Sequence, residues 1–166
     1  MNDEVRQLSE PSEGAEAPPQ VVAAFTLRDI VRYAGASGDF NPVHYDRDLA
    51  RSLGHRDLFA MGMLPAGILG EYITDWLGPI GVVHSIRFRF VDRVWLGEEH
   101  VCRARIDRLE YQVDETTIHI DGRFQSVDGT DKITAACTVE THAREGDRVR
   151  AGGGQSTETR PDHTRP

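Results

Sequence analysis

Lysine is almost missing from this sequence. Lys132 stands alone, and the remaining basic charge is arginine. With 19 basic against 27 acidic residues the formal charge is −8. Residues 1–20 carry −4 and residues 144–166 carry +1, which leaves −5 between them. An acidic middle excludes the extended basic face that matches nucleic-acid phosphates. Cysteine is scarce as well. Cys102 and Cys137 are too few for a disulfide scaffold and have neither the CxxC spacing of redox pairs nor the clustering of zinc ligands, so both are expected to be reduced packing residues. No stretch approaches the roughly 18 consecutive apolar residues of a membrane span. The start, MNDEVRQLSEPSEG, lacks the basic-then-apolar order of a secretory signal, which points to the cytoplasm. P-loop, GxSxG, HExxH and GxGxxG patterns are absent too, and with them the commonest nucleotide, serine-hydrolase and zinc-protease chemistries.

What is present suits one domain. A length of 166 residues with 39% hydrophobic content is enough for a single core. Residues 1–20 are rich in Glu, Pro, Ser and Ala without apolar periodicity and read as a disordered tail, and residues 144–166, running through Gly152-Gly153-Gly154, read as another. The folded domain is expected over 21–143. Thr26 with Asp29 forms a capping-box pattern ahead of Leu27, Ile30, Val31 and Ala34, predicting a helix over about 26–35. A second short helix is expected over 46–53, stopped by Gly54. From Gly62 to Leu77 the chain is apolar around most of its circumference, with Pro65 in the first turn and Gly78-Pro79 at the end, as in a buried helix.

The period then changes from 3.6 to 2. Alternation at Ile86/Phe88/Phe90, Thr116 to Phe124 and Ile133 to Val139, with a further strand near 99–110, predicts four long antiparallel strands. Helices first and strands after describe an α+β domain with one antiparallel sheet. The long apolar helix fits the concave face of that sheet.

The chemistry-bearing stretch is YAGASGDFNPVHY, Tyr33 to Tyr45, where Asp39 and His44 sit on a loop stiffened by Asn41-Pro42. A carboxylate and an imidazole in one small site divide general-base and general-acid work, because their pKa values start on opposite sides of a neutral proton transfer. The same spacing also suits an Asx turn at Asp39 and a packed His44. His44, Asp46, His55 and Asp57 are of metal-ligating type, though such pairings are common near loops.

This loop resembles the hydratase motif of the MaoC-like (R)-specific enoyl-CoA hydratases and 3-hydroxyacyl-thioester dehydratases. Met61-Gly62-Met63-Leu64 resembles that family's His-Gly-Met-Leu at the start of its central helix, and the likeness runs over roughly residues 22–142. The resemblance implies a single hot-dog domain, an antiparallel sheet wrapped around the long helix. It implies reversible hydration of a trans-2-enoyl thioester, carried by coenzyme A or an acyl-carrier protein, with neither metal nor cofactor. Asp39 and His44 would hold and activate the water, and the Gly62 N–H would take the thioester oxygen. Ser37, Asn41, Met61, Met63 and Gly67 would lie near the substrate. Met61 stands where many relatives have His, and Gly67 where some have Ser, which bears on acyl-chain selectivity.

The resemblance also implies pairing, as a homodimer or as the catalytic half of a heterodimer with a related hot-dog subunit. A non-catalytic acyl-thioester-binding protein of the same fold would not need the Asp39/His44 pair. A thioesterase of this fold usually carries a carboxylate on the central helix, and here only Glu71 and Asp75 are present, late in it.

Overall fold

The computed structural model of the chain describes residues 7–142. The C-terminal tail expected at 144–166 lies outside the described residues, as do residues 1–6. Helix α1, Leu27–Ser37, begins at the expected capping box: the Thr26 N–H donates to Asp29 Oδ2 at 2.9 Å while Asp29 N–H donates to Thr26 Oγ1 at 3.4 Å. It ends at Gly38, whose φ of 74° is left-handed backbone that favours glycine. Helix α2, Arg47–Ser52, is capped by Asp46, which accepts from Leu49 N–H at 3.0 Å.

Helix α3, Met63–Leu77, buries Ala66, Leu69, Tyr72, Ile73, Trp76 and Leu77. The uniform apolarity of its sequence predicts burial all round, yet Met63, 55% exposed, and Gly67 face out of this single chain. Among the described residues no helix is long and apolar enough to cross a membrane.

The sheet has the order β1-β3-β4-β5-β2 and is antiparallel throughout. Its strands are β1, Gln20–Val22; β2, Val82–Phe90; β3, His100–Tyr111; β4, Glu115–Ser126; and β5, Asp131–His142. Alternation settles which face turns to α3. On β4, Thr116, Ile118, Ile120, Gly122 and Phe124 are buried while the residues between them are half-exposed. Gly122 lets the helix come close, since a Cβ there would stand 2.7 Å from Ile73 Cδ1. Cys102 and Cys137 are free and buried among these core residues, and burial pushes their thiols up to about 12 and about 11. Neither thiol ionises near neutral pH, as expected of packing residues.

The expected disordered stretch 1–20 is corrected over its described part. Residues 8–19 form a strap that is tied to α3 at Leu8, runs along β3 over 13–17 and leads into β1. Gly14 N–H donates to Ile106 O at 2.9 Å, Ala17 N–H to Ala104 O at 2.8 Å, and Leu8 N–H to Trp76 O at 2.8 Å. Ala17 is buried, and Tyr72 O–H donates to Pro18 O at 3.0 Å. Backbone hydrogen bonding holds this segment, so hydrophobic periodicity does not announce it.

His100, at the start of β3, is fully buried and stacked on Phe124 with ring centroids 4.9 Å apart. Neither ring nitrogen has a hydrogen-bond partner among the described residues. Burial holds the imidazole below its ordinary value. The unfolded chain therefore takes up this proton first as pH falls below about 6.5, so the contribution is fully present above that pH and is lost below it. His100→Leu is expected to flatten the fall in melting temperature between about pH 7.5 and 5.5, removing at most about 1.4 kcal/mol per pH unit. An unchanged slope would assign the effect to another group.

Candidate functional site

The loop after α1 is built by its own polar side chains. Ser37 Oγ donates to Tyr33 O at 2.8 Å and accepts from Asp39 N–H at 3.2 Å. Asp39 Oδ1 accepts from Asn41 N–H, and Asn41 Oδ1 from Val43 N–H, each at 3.2 Å. Pro42 then opens a single 3-10 turn, Pro42–His44, that carries the imidazole inward. Ser37 and Asn41 are thus committed to holding the loop, while Asp39 is exposed and has no ion pair among the described residues.

His44 is only 8% exposed, and its Nδ1 stands 3.0 Å from Phe59 O. A carbonyl only accepts, so Nδ1 carries the proton in the neutral ring and Nε2 keeps its lone pair. No residue described here bonds Nε2. Phe59 belongs to a short two-stranded pairing in which Ala60 N–H donates to Val94 O at 2.8 Å and Leu96 N–H to Leu58 O at 3.2 Å. Its own carbonyl is left over for His44. Its ring meets the edge of the His44 ring at 4.9 Å and lies beneath the Arg93 guanidinium at 5.4 Å.

Phe59 also lines a cavity of about 320 Å³ at the start of α3, together with Gly62, Phe90, Arg93, Val94 and Ile133. Gly62 has no side-chain cap, and the first backbone bonds at this end run from Leu64 N–H to Met61 O and from Ala66 N–H to Gly62 O. The Gly62 and Met63 N–H groups make no hydrogen bond among the described residues. Two unpaired donors at the positive end of a long helix suit an oxygen that gains negative charge. A Cβ on Gly62 would stand 3.0 Å from the Phe90 ring, so the bare glycine keeps this approach open.

Through Phe59 the structure links His44 and Gly62, the one by a carbonyl and the other by a shared cavity wall. Met61 is 2% exposed and packs into the core, away from the cavity lining. Met63 and Gly67 lie on the open side of α3. Asp46 caps α2 and Asp57 pairs with Arg47 at 2.7 Å; no group of three metal-ligating residues comes together among the described residues. Phe59 and Phe90 stand out as site residues only in three dimensions, whereas Arg93, with Arg87 and Arg89, is a candidate in the sequence for thioester-carrier phosphates. Arg93 is visible in the sequence as a cation, but Phe59 acts through its backbone and carries no sequence signal.

The MaoC-like domain family matches residues 9–128. Over 60 residues the chain is 42% identical to the 3-oxo-4,17-pregnadiene-20-carboxyl-CoA hydratase beta subunit of Mycobacterium tuberculosis, a match covering 36% of this chain and 46% of that protein. The chain thus spans about half the length of such relatives. Among solved structures, the ChsH1-ChsH2 complex from Mycobacterium tuberculosis matches with a TM-score of 0.64 at 29% identity, over 81% of this chain and 100% of that one. The (R)-hydratase from A. caviae matches with a TM-score of 0.68 at 20% identity, over 80% and 98%, a likeness of fold alone.

Proposed function

The chain belongs to the MaoC-like dehydratase family and has its hot-dog fold, and on that premise we propose that it reversibly hydrates trans-2-enoyl thioesters to (3R)-3-hydroxyacyl thioesters. The observation that carries this reading is His44, with Nδ1 held by the Phe59 carbonyl and Nε2 free, on the loop that bears Asp39. In hydration Asp39 and His44 hold one water between them. A proton leaves the water as its oxygen bonds to the β-carbon, and the electrons of the double bond move to the thioester oxygen. The Gly62 N–H takes that oxygen, a donor worth about 3 kcal/mol when aimed at developing charge. A proton then reaches the α-carbon, and the sum is addition of one water. Dehydration is the same path reversed, and neither metal nor cofactor enters it.

Ser37 and Asn41 act by fixing the loop, and Met61 by packing behind the helix start. Met63 and Gly67 present a surface to the acyl chain or to a second domain. Two hot-dog domains would pair either as a homodimer or as a heterodimer in which this chain supplies the acid–base residues. The match to a two-component complex supports the second arrangement.

The test is loss of the conjugated thioester absorbance when purified protein meets crotonyl-CoA, a longer trans-2-enoyl-CoA, and the same acyl groups on a carrier protein. The expected result is disappearance of the band with a 3-hydroxyacyl product. Folded protein that turns over none of them, alone or with a related hot-dog subunit, would leave an acyl-binding role in place of catalysis.

A further inference from the structure

The cavity beside Gly62 contains an unspent charge. Most of its wall is apolar, from Phe59 and Ala60 through Phe90 to Val94 and Ile133. Only Asp92 and Arg93 in that wall are ionisable. Asp92 is already matched: its Oδ2 accepts from Lys132 Nζ at 2.6 Å, with the Lys132 side chain 8% exposed. That ammonium holds the Asp92 carboxyl below its ordinary value. Arg93 is exposed and forms no ion pair among the described residues; its charge reaches Asp92 only as the weakest of the influences that lower that carboxyl. Its guanidinium lies over the Phe59 ring instead. A flat cation on an aromatic face keeps its N–H edge free for a planar or tetrahedral anion.

We propose that Arg93 is a specificity-determining residue that binds an anionic oxygen group of the thioester ligand while the thioester itself sits at Gly62. This rests on the thioester reading above and deepens it. The reacting enoyl thioester is neutral, so the anion belongs elsewhere in the ligand. It is either a phosphate of the carrier arm or a carboxylate at the far end of the acyl group. Both are oxyanions that a guanidinium takes through paired N–H bonds. Phe59 serves the site twice, orienting His44 with its carbonyl and Arg93 with its ring.

Titration calorimetry with three saturated thioesters separates the sources without any turnover. Butyryl-pantetheine has no anion, butyryl-CoA adds the phosphates, and succinyl-CoA adds a terminal carboxylate to those. Arg93→Gln is expected to weaken binding about tenfold or more and to leave butyryl-pantetheine within about twofold, as for loss of one charge-assisted pair. A phosphate source weakens both CoA thioesters equally. A carboxylate source weakens succinyl-CoA alone. Arg93→Lys is expected to recover part of the affinity, because it keeps the charge and loses the fork.

Equal weakening of all three ligands, no change in any, or no binding to the unmodified protein each overturns the assignment. The absorbance assay reports on hydration separately. A protein that hydrates crotonyl-CoA yet fails this test keeps its proposed function and loses only the role given to Arg93.

Discussion

Asp39→Asn and His44→Ala are each expected to lower turnover of a trans-2-enoyl thioester by a factor of about 100 or more, with the fold retained. The first keeps the shape of the side chain and its oxygen for the Asn41 N–H, so the loop survives while the charge goes. The second removes the ring whose Nδ1 meets the Phe59 carbonyl. That leaves a half-buried acceptor to find water, at about 1 kcal/mol. Melting curves beside the kinetics separate this small loss from the chemical one. Full activity in either variant would remove that residue from the mechanism.

Gly62→Pro is expected to cost a similar factor, about 100 to 1000 in kcat, through the loss of one N–H. The backbone is suited to the exchange: Gly62 has φ −55° and ψ −37°, close to the angle that a proline ring imposes, and it stands at a helix start where proline is tolerated. Gly62→Ala is the control. Alanine keeps the N–H and only presses on Phe90, a ring 52% exposed and free to give way, so a change within about tenfold is expected. Equal losses in the two variants would make Gly62 a packing residue, and an active proline variant would move the oxyanion donor elsewhere.

The parts of the fold that follow from side-chain periodicity are legible in the sequence. Strands β2, β4 and β5 appear where the period of 2 places them, and helix α3 where the apolar run between Pro65 and Gly78-Pro79 does, because sheet face and helix bury each other. Helix α1 is legible from its capping box. The strap before β1 is not, since Glu, Pro and Ala carry no apolar rhythm and its hold on β3 is made by backbone N–H and C=O groups. The same reason hides Phe59, whose bond to His44 comes from a carbonyl that every residue possesses. Asp39, His44 and Gly62 are legible as a motif. The cavity wall beside Gly62, which Phe59 ties to His44 and in which Arg93 stands, depends on the pairing of residues 58–60 with 94–96, which no local pattern encodes.

The strap also decides how far such a sheet can grow. It occupies the outer side of β3 and presents Pro18 and Pro19, which have no N–H to offer a further strand. On the opposite side, among the described residues, the nine residues of β2 pair with β5 alone. A sheet with one receptive rim and one blunted rim accepts a single neighbour there. If two copies met through β2, each would use up the other's rim, and assembly by strand addition would stop as a closed pair instead of running on into a fibre.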